Sequence, residues 1–423
     1  MDSTLPTGNI RINDIRLISF ERNDISILNL FREVELIEDI NNSIMFGRIV
    51  MSEPNNLPES FPIIGEEWIQ INYSIASDIG APKRELEFRV TGVSNIHKPK
   101  DKQHDYEINF CTSEYYYLVQ KSIDVRKTGL VEDMVSDILR EDVFSEKHLY
   151  YEPTKRRQSI LFPGMSLMDA INYCSFRAQG KASSDSLYKF FETPDGFHFV
   201  SVGYMNSKEP EFNIKYKQLN VQEPGDTNAD NVFSAMAYSV MSRSDTANMV
   251  YNGGFKNSAL LFDPLIKTKA HVTKDYYETP PVQTQDKPIN SLAFSDLAGV
   301  TDSIEYAFVT NLRPSPRPTS DNPADMYVPG YEAFYLDRQM SRVRMGDTVL
   351  QLTLPITTRL QAGQTVNFDL PKDNSTDRGG ENDKYLSGKY LVTKVTHTFN
   401  SETGVTNIEM RKSGLQNDIG RDE

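Results

Sequence analysis

Alternation of apolar and polar residues near the C-terminus constrains this chain more than any other feature. Leu350, Leu352, Leu354 and Ile356 alternate with polar or small residues, the period of a half-buried strand. Gly363 turns the chain into Val366, Phe368 and Leu370, and Pro371 stops that run. After a polar loop, Gly388 leads into Lys389–Phe399, rich in β-branched and aromatic residues. Asn400–Gly404 is a turn sequence, and Val405–Arg411 returns with Ile408 and Met410 on one face. Residues 349–411 therefore read as an antiparallel sheet module of four strands.

The same module recurs earlier. Gly65 precedes Ile69, Ile71 and Tyr73 much as Gly363 precedes Val366 and Phe368. Phe88–Ile96, with Phe88 and Val90, aligns with Tyr390–Thr398, with Tyr390, Val392 and Val395. Asp105–Ser113 aligns with Val405–Ser413. Order and approximate spacing agree while identities are few, so the alternatives are an internal duplication and a chance likeness between two strand-rich regions.

A chain of 423 residues predicts about three domains. Its 38% hydrophobic and 10% aromatic content supports ordinary cores and argues against wholesale disorder. The net charge of −14 argues against a surface that coats nucleic acid, though not against one that lets DNA slide past. Cys111 and Cys174 are the only cysteines, so neither a disulfide framework nor a zinc site is expected. Acidic residues in the first thirty positions (Asp2, Asp14, Glu21, Asp24) leave no signal-peptide core, and no apolar run has bilayer length. A product without a membrane segment, made in a reducing cytoplasm, is the expectation.

Taken in order, Ile10, Ile12 and Ile15, then Ile25–Ile37, then Ile44–Met51 read as strands. With further strands at 66–75, 85–96 and 104–112 they predict a closed or nearly closed antiparallel barrel over 8–113. Lys98–Lys102 is a basic hairpin tip. Leu130, Val131, Met134, Val135, Ile138 and Leu139 fall at helical spacing. Residues 150–157 read as a loop, and Pro163-Gly164 opens a second helix with Leu167, Met168, Ile171, Cys174 and Ala178 on one face. Leu187–Glu192 and Phe197–Val202 form a hairpin around Pro194–Gly196. Residues 114–212 thus read as an inserted α+β domain. Tyr238–Met241 and Met249–Tyr251 read as β, and 270–330 as a surface excursion with a short helix near 290–298. Tyr331–Arg344 reads as a helix and 414–423 as a flexible tail. A second barrel is expected from 213–269 and 331–413.

No motif of active-site quality appears, so the chain is not expected to be an enzyme. His97, His104, His148, His198, His271 and His397 are scattered with no HExxH pair. His397 reads as a satisfied sheet residue, Ser166 as a helix cap and Cys174 as a core residue. Asp373, Ser375 and Asp377 alternate as in a calcium loop, but Arg378 holds the glycine slot and Lys384 the bidentate carboxylate position. No catalytic, metal or cofactor residues are assigned.

Tyr331–Met345, Thr348–Ile356, Arg359–Phe368, Tyr390–Phe399 and Thr406–Met410 together resemble the baseplate hub proteins of contractile-tailed bacteriophages, related in fold to the base of type VI secretion spikes. Gly164–Gln179, the hairpin to Tyr204, and Asn252–Thr268 continue the likeness. The resemblance implies a β-rich α+β chain with two tail-tube-like barrels, forming a homotrimer in the virion baseplate, assembled in the bacterial cytoplasm. Such a trimer joins a sixfold tail tube to a threefold central spike and lets DNA pass without specific binding. Other baseplate proteins are implied partners, with the tape measure protein a candidate contact. Ile69, Ile71, Tyr73, Phe88, Val90, Val366, Phe368, Tyr390, Val392 and Val395 lie on the strands expected to form the ring. A tail-associated peptidoglycan hydrolase and a secretion-system spike base are the alternative readings.

Overall fold

The computed structural model describes residues 8–19, 21, 23–61, 63–76, 78, 80–100, 103–216, 232–243, 245–263, 267–275, 304–309, 331–372, 382–412 and 414. The N-terminal strands are β1 (Ile10–Ile18), β2 (Asp24–Ser26), β3 (Phe31–Asp39), β4 (Phe46–Glu53), β5 (Trp68–Ile75), β6 (Arg84–Lys100) and β7 (Gln103–Cys111). The next region carries β8 (Ser122–Gly129), β9 (Leu149–Tyr151), β10 (Gln158–Ser166), β11 (Tyr188–Thr193) and β12 (Gly196–Ser201). There follow β13 (Phe212–Tyr216), β14 (Ser234–Ala235), β15 (Ala237–Arg243), β16 (Lys256–Asp263), β17 (Thr268–Asp275) and β18 (Ile304–Val309). Last come β19 (Thr348–Pro355), β20 (Thr365–Asp369), β21 (Gly388–Phe399) and β22 (Gly404–Lys412). Strand dominates the described residues.

Two strand sets share one pairing order. In the first, β3 pairs β4, β4 pairs β7, β7 pairs β6 and β6 pairs β5. In the second, β15 pairs β19, β19 pairs β22, β22 pairs β21 and β21 pairs β20. All eight of these pairings are antiparallel. Register agrees as well as order. Arg89 lies opposite both Trp68 and Cys111, and Leu391 lies opposite both Thr365 and Arg411. A bulge follows one residue later in both sets, between Val90 and Gly92 and between Val392 and Lys394. Gly65 and Gly363 both take positive φ (94° and 88°) just ahead of β5 and β20, a backbone state glycine adopts at little cost. The sixth neighbour differs: β1 runs antiparallel to β5, whereas β13 runs parallel to β20.

The second set returns on itself. Segment 234–243 pairs at its start with β13 and further on with β19, so its pairing order begins and ends on neighbouring residues. Period-two alternation drives the burial: β4 and β5 bury every second side chain, and Ile69, Ile71, Tyr73, Phe88, Val90, Ile108 and Phe110 fill the first core. Leu350, Leu352, Val366, Phe368, Tyr390, Val392, Val395, Ile408 and Met410 fill the second.

The intervening region folds as expected in outline and differs in detail. Its helix runs over Val131–Asp137 and continues as a π-turn over Ile138–Asp142, with Val131, Met134, Val135, Ile138 and Leu139 of the apolar stripe buried and Leu130 partly so. Pro163-Gly164 does not open a helix. It forms the bulge of β10, held against β8, and the helix starts at Leu167 with the Ser166 hydroxyl accepting from Asp169 N. The expected 150–157 loop contributes β9, which runs parallel to β12. The Pro194–Gly196 turn joins β11 and β12 as expected.

Three further expectations are corrected. The run Ile25–Ile37 is not one strand, because Leu30 N bonds back to Ile27 O and breaks it before β3. Met249–Tyr251 is helical, within Thr246–Tyr251, because Asp245 caps that turn through Asn248 N and so overrides the β preference of Val250 and Tyr251. Within 270–330, residues 270–275 and 304–309 are strand: β17 and β18 flank β16. The helix expected near 290–298, residues 373–381 of the acidic loop and 415–423 of the tail lie outside the described residues. Tyr331–Arg344 is a helix as read.

Candidate functional site

The ten residues expected on the ring-forming strands divide cleanly between the cores. Ile69, Ile71, Tyr73, Phe88 and Val90 belong to the first, and Val366, Phe368, Tyr390, Val392 and Val395 to the second. None is more than 1% exposed, so these side chains hold each strand set together. What the sets can offer a neighbour is the backbone of their edges.

One such edge is already used inside the chain. β21 pairs with β20 through Gly388–Leu391 and, on the same edge, with β3 through Lys394–Phe399. This seam joins residues more than 350 positions apart, Phe399 opposite Val34 and Val395 opposite Glu38. Phe399 crosses it entirely. Its ring packs in the first core, 5.0 Å from Tyr73, together with Ile356.

A polar layer backs this seam. Glu38 is fully buried; its Oε2 accepts from Ala362 N at 3.1 Å, and Oε1 has no hydrogen-bond partner among the described residues. His397 Nε2 lies 3.8 Å from that oxygen, and its Nδ1 lies 3.0 Å from the Thr406 hydroxyl. Thr406 Oγ1 accepts in turn from Thr357 N. The sequence marked His397 as a satisfied sheet residue, and its two polar neighbours, Glu38 and Thr406, come from separate stretches of the chain.

The 356–364 loop is pinned from both sides. Arg84 donates to Thr358 O at 2.9 Å and to Asp195 at 2.6 Å, Gln361 donates to the other Asp195 oxygen at 2.7 Å, and Arg359 pairs with Asp78 at 2.6 Å. Burial pushes the Asp195 carboxyl up, but the bonds from Arg84 and Gln361 more than offset this and hold it below its ordinary value. Glu192 ties the inserted region to the first strand set. It accepts from Met45 N, Thr112 Oγ1 and Lys147 Nζ, and burial raises its carboxyl despite the lysine.

These groups are structural ties between the strand sets and the inserted region. No cluster of three metal-binding side chains occurs among the described residues. Burial drives the Cys111 and Cys174 thiols up to about 12, so neither is a ready nucleophile. A cavity of about 610 Å³ lies beside the 356–364 loop, lined by Tyr150, His198, Asp195 and Gln361. There His198 stacks on Phe191 at 4.8 Å, and burial lowers its pKa to about 4, which keeps the ring neutral. Among the described residues no helix is long and apolar enough to cross a membrane.

No protein-family model matches the chain, and no curated protein matches it in sequence. Solved structures do. The tail protein from Neisseria meningitidis MC58 is similar with a TM-score of 0.55 at 10% identity, covering 95% of this chain and 97% of that one. The 43 kDa tail protein of prophage MuSo2 from Shewanella oneidensis is similar with a TM-score of 0.52 at 9% identity, covering 94% and 97%. An E. coli component of the type VI secretion system, described as similar to T4 tail proteins gp27 and gp5, scores 0.44 at 10% identity over 97% and 77%, a value on which nothing further rests. At these identities the likeness concerns fold: this chain has the fold of phage tail proteins.

Proposed function

We propose that the chain is a structural hub of a contractile phage tail. Three copies form a ring of six similar β blocks that seats a sixfold tail tube on one side and a threefold central spike on the other. One observation carries this reading: two five-stranded sets in one chain with the same pairing order, corresponding opposed positions around Arg89 and Leu391, and a bulge at the matching place in β6 and β21. Duplication is the economical source of such a match, and a doubled block is what lets a threefold assembly meet a sixfold partner. The return of segment 234–243 from β13 to β19 supports reading the second set as a barrel.

On this reading the division is 8–113 for the first barrel, 114–212 for the inserted α+β domain, and 213–269 with 331–413 for the second barrel. The partners are tail tube, spike and other baseplate proteins, the tape measure protein is a candidate contact, and the location is the virion tail after assembly in the host cytoplasm. Carboxylates facing the channel repel the phosphate backbone, in keeping with the −14 net charge. Reversing the charge of lumen carboxylates should slow DNA ejection, and unchanged ejection would count against that role.

No catalytic step is assigned. A zymogram of the purified chain on peptidoglycan should stay blank, and a cleared band would return the hydrolase alternative to first place.

A further inference from the structure

We infer that neighbouring copies join by backbone pairing between the distal half of β6 in one chain and β15 in the next. This rests on the ring reading above and adds which edges meet and in which register.

β21 has β22 along one edge; its other edge is shared by β20 and, further on, β3. Its counterpart β6 has β7 along one edge and β5 on the other only through Arg84–Arg89. Beyond that point, Val93–His97 have no strand neighbour on the β5 side among the described residues. The socket repeats in the same way. β3 lies between β4 and β21, whereas its counterpart β15 pairs with β19 alone among the described residues. Among the described residues each chain therefore holds one occupied seam, one open plug (β6) and one open socket (β15). Plug and socket are different surfaces, so the contact is head-to-tail and closes into a ring when the rotation allows. Adding a strand at an open edge satisfies the exposed amide and carbonyl groups there.

Register follows from the shared partners. Thr396 opposes Asn407 as Ser94 opposes Glu107, and Ile37 opposes Phe46 as Ser242 opposes Val349. The internal pair Thr396–Ile37 thus maps onto Ser94–Ser242 between chains, and Val395–Glu38 maps onto Val93–Arg243. Just past Ser94 and Ser242 both strands become irregular. Met241 is bulged out of β15, and Asn95 takes a φ of 53°. The two irregularities face each other in this register. Exposed apolar side chains lie along the same stretches: Ile96 is 63% exposed, Met241 57% and Val240 40%.

The test is a disulfide across the inferred pair in the full chain. Directly opposed residues in an antiparallel pair have Cα atoms about 4.5–5.5 Å apart, within disulfide range. Cys111 and Cys174 are buried and will not compete. Oxidised S94C/S242C should run on a denaturing, non-reducing gel as covalent dimer and trimer with nothing larger. Either single variant, and the out-of-register S94C/S239C, should stay monomeric. Absence of crosslinking in a sample whose mass is that of a trimer would overturn this seam and leave the ring reading standing. A monomeric mass would overturn both, and a ladder running past three would overturn the closed ring.

Discussion

Replacing Phe399 with alanine tests whether the two halves of the chain form one mechanical unit. Phe399 ends β21, in the C-terminal strand set, yet its ring is 1% exposed in the N-terminal core. Truncating a buried phenylalanine costs about 3–5 kcal/mol, part of which is the aromatic contact with Tyr73. The surroundings decide where in that range the cost falls. A Cβ built on Gly404 would lie 2.8 Å from Phe399 Cβ and 2.7 Å from Ile356 Cδ1, so the Gly404 backbone is already packed close against the base of the Phe399 side chain and against Ile356. Little collapse into the void is available, which places Phe399→Ala near the top, about 4–5 kcal/mol. Trp68 is the only tryptophan and sits on β5, so urea unfolding followed by its fluorescence reports the first strand set. The midpoint should fall by an amount matching that loss. Phe144→Ala, at a residue 64% exposed, should change stability by less than about 0.5 kcal/mol. A Trp68 transition that Phe399→Ala leaves in place would refute the coupling across the seam.

The remaining predictions concern single groups. Burial pushes the Asp347 carboxyl up from 3.8 to about 6, despite Arg344 and Lys412, and its Oδ1 has no hydrogen-bond partner among the described residues. A folded value above the unfolded one means that this contribution to stability is complete below 3.8 and is lost as pH rises through about 6. Asp347→Asn should flatten the stability profile between those values by on the order of 3 kcal/mol, and an unchanged slope in denaturation midpoints against pH would contradict it. Ser166→Ala should cost about 1 kcal/mol by removing the cap on the Leu167–Arg177 helix, while Ser166→Asp should keep most of it; equal losses in thermal unfolding would show the cap to be inert. His198 should remain neutral down to about pH 5, so its ring signals in NMR should not titrate with a midpoint near 6.5.

Much of the fold was legible because period-two alternation is a local signal. It located the strands around Ile69–Tyr73, Val366–Phe368 and Tyr390–Phe399, and the matched bulges explain why the two sequence stretches aligned with few shared residues. Ser166 and the 331–344 helix were readable for the same reason, since capping and helical spacing act over a few residues. Errors came where a longer-range partner overrode local preference. Pro163-Gly164 resembles a helix start until β8 is seen to hold it as a bulged strand. β8 itself, largely polar and exposed, carries no burial pattern to read. The seam between β21 and β3 was invisible, because nothing in Lys394–Phe399 names Val34–Asp39 as its partner. For the same reason the ten residues read as ring-forming are the inward half of their strands. Alternation does not mark the edges of β6 and β15, open among the described residues, which are the surfaces inferred above to meet a neighbour.

The central claim is that a doubled strand set lets three chains present six similar blocks. Mass measurement of the purified full-length protein, followed by electron microscopy of the particle, tests it most directly. The account predicts a mass three times 48.2 kDa and a ring whose projection shows six near-equivalent densities in three pairs. A monomer at every concentration tried, or a ring of three with a single block per chain facing the channel, would contradict it.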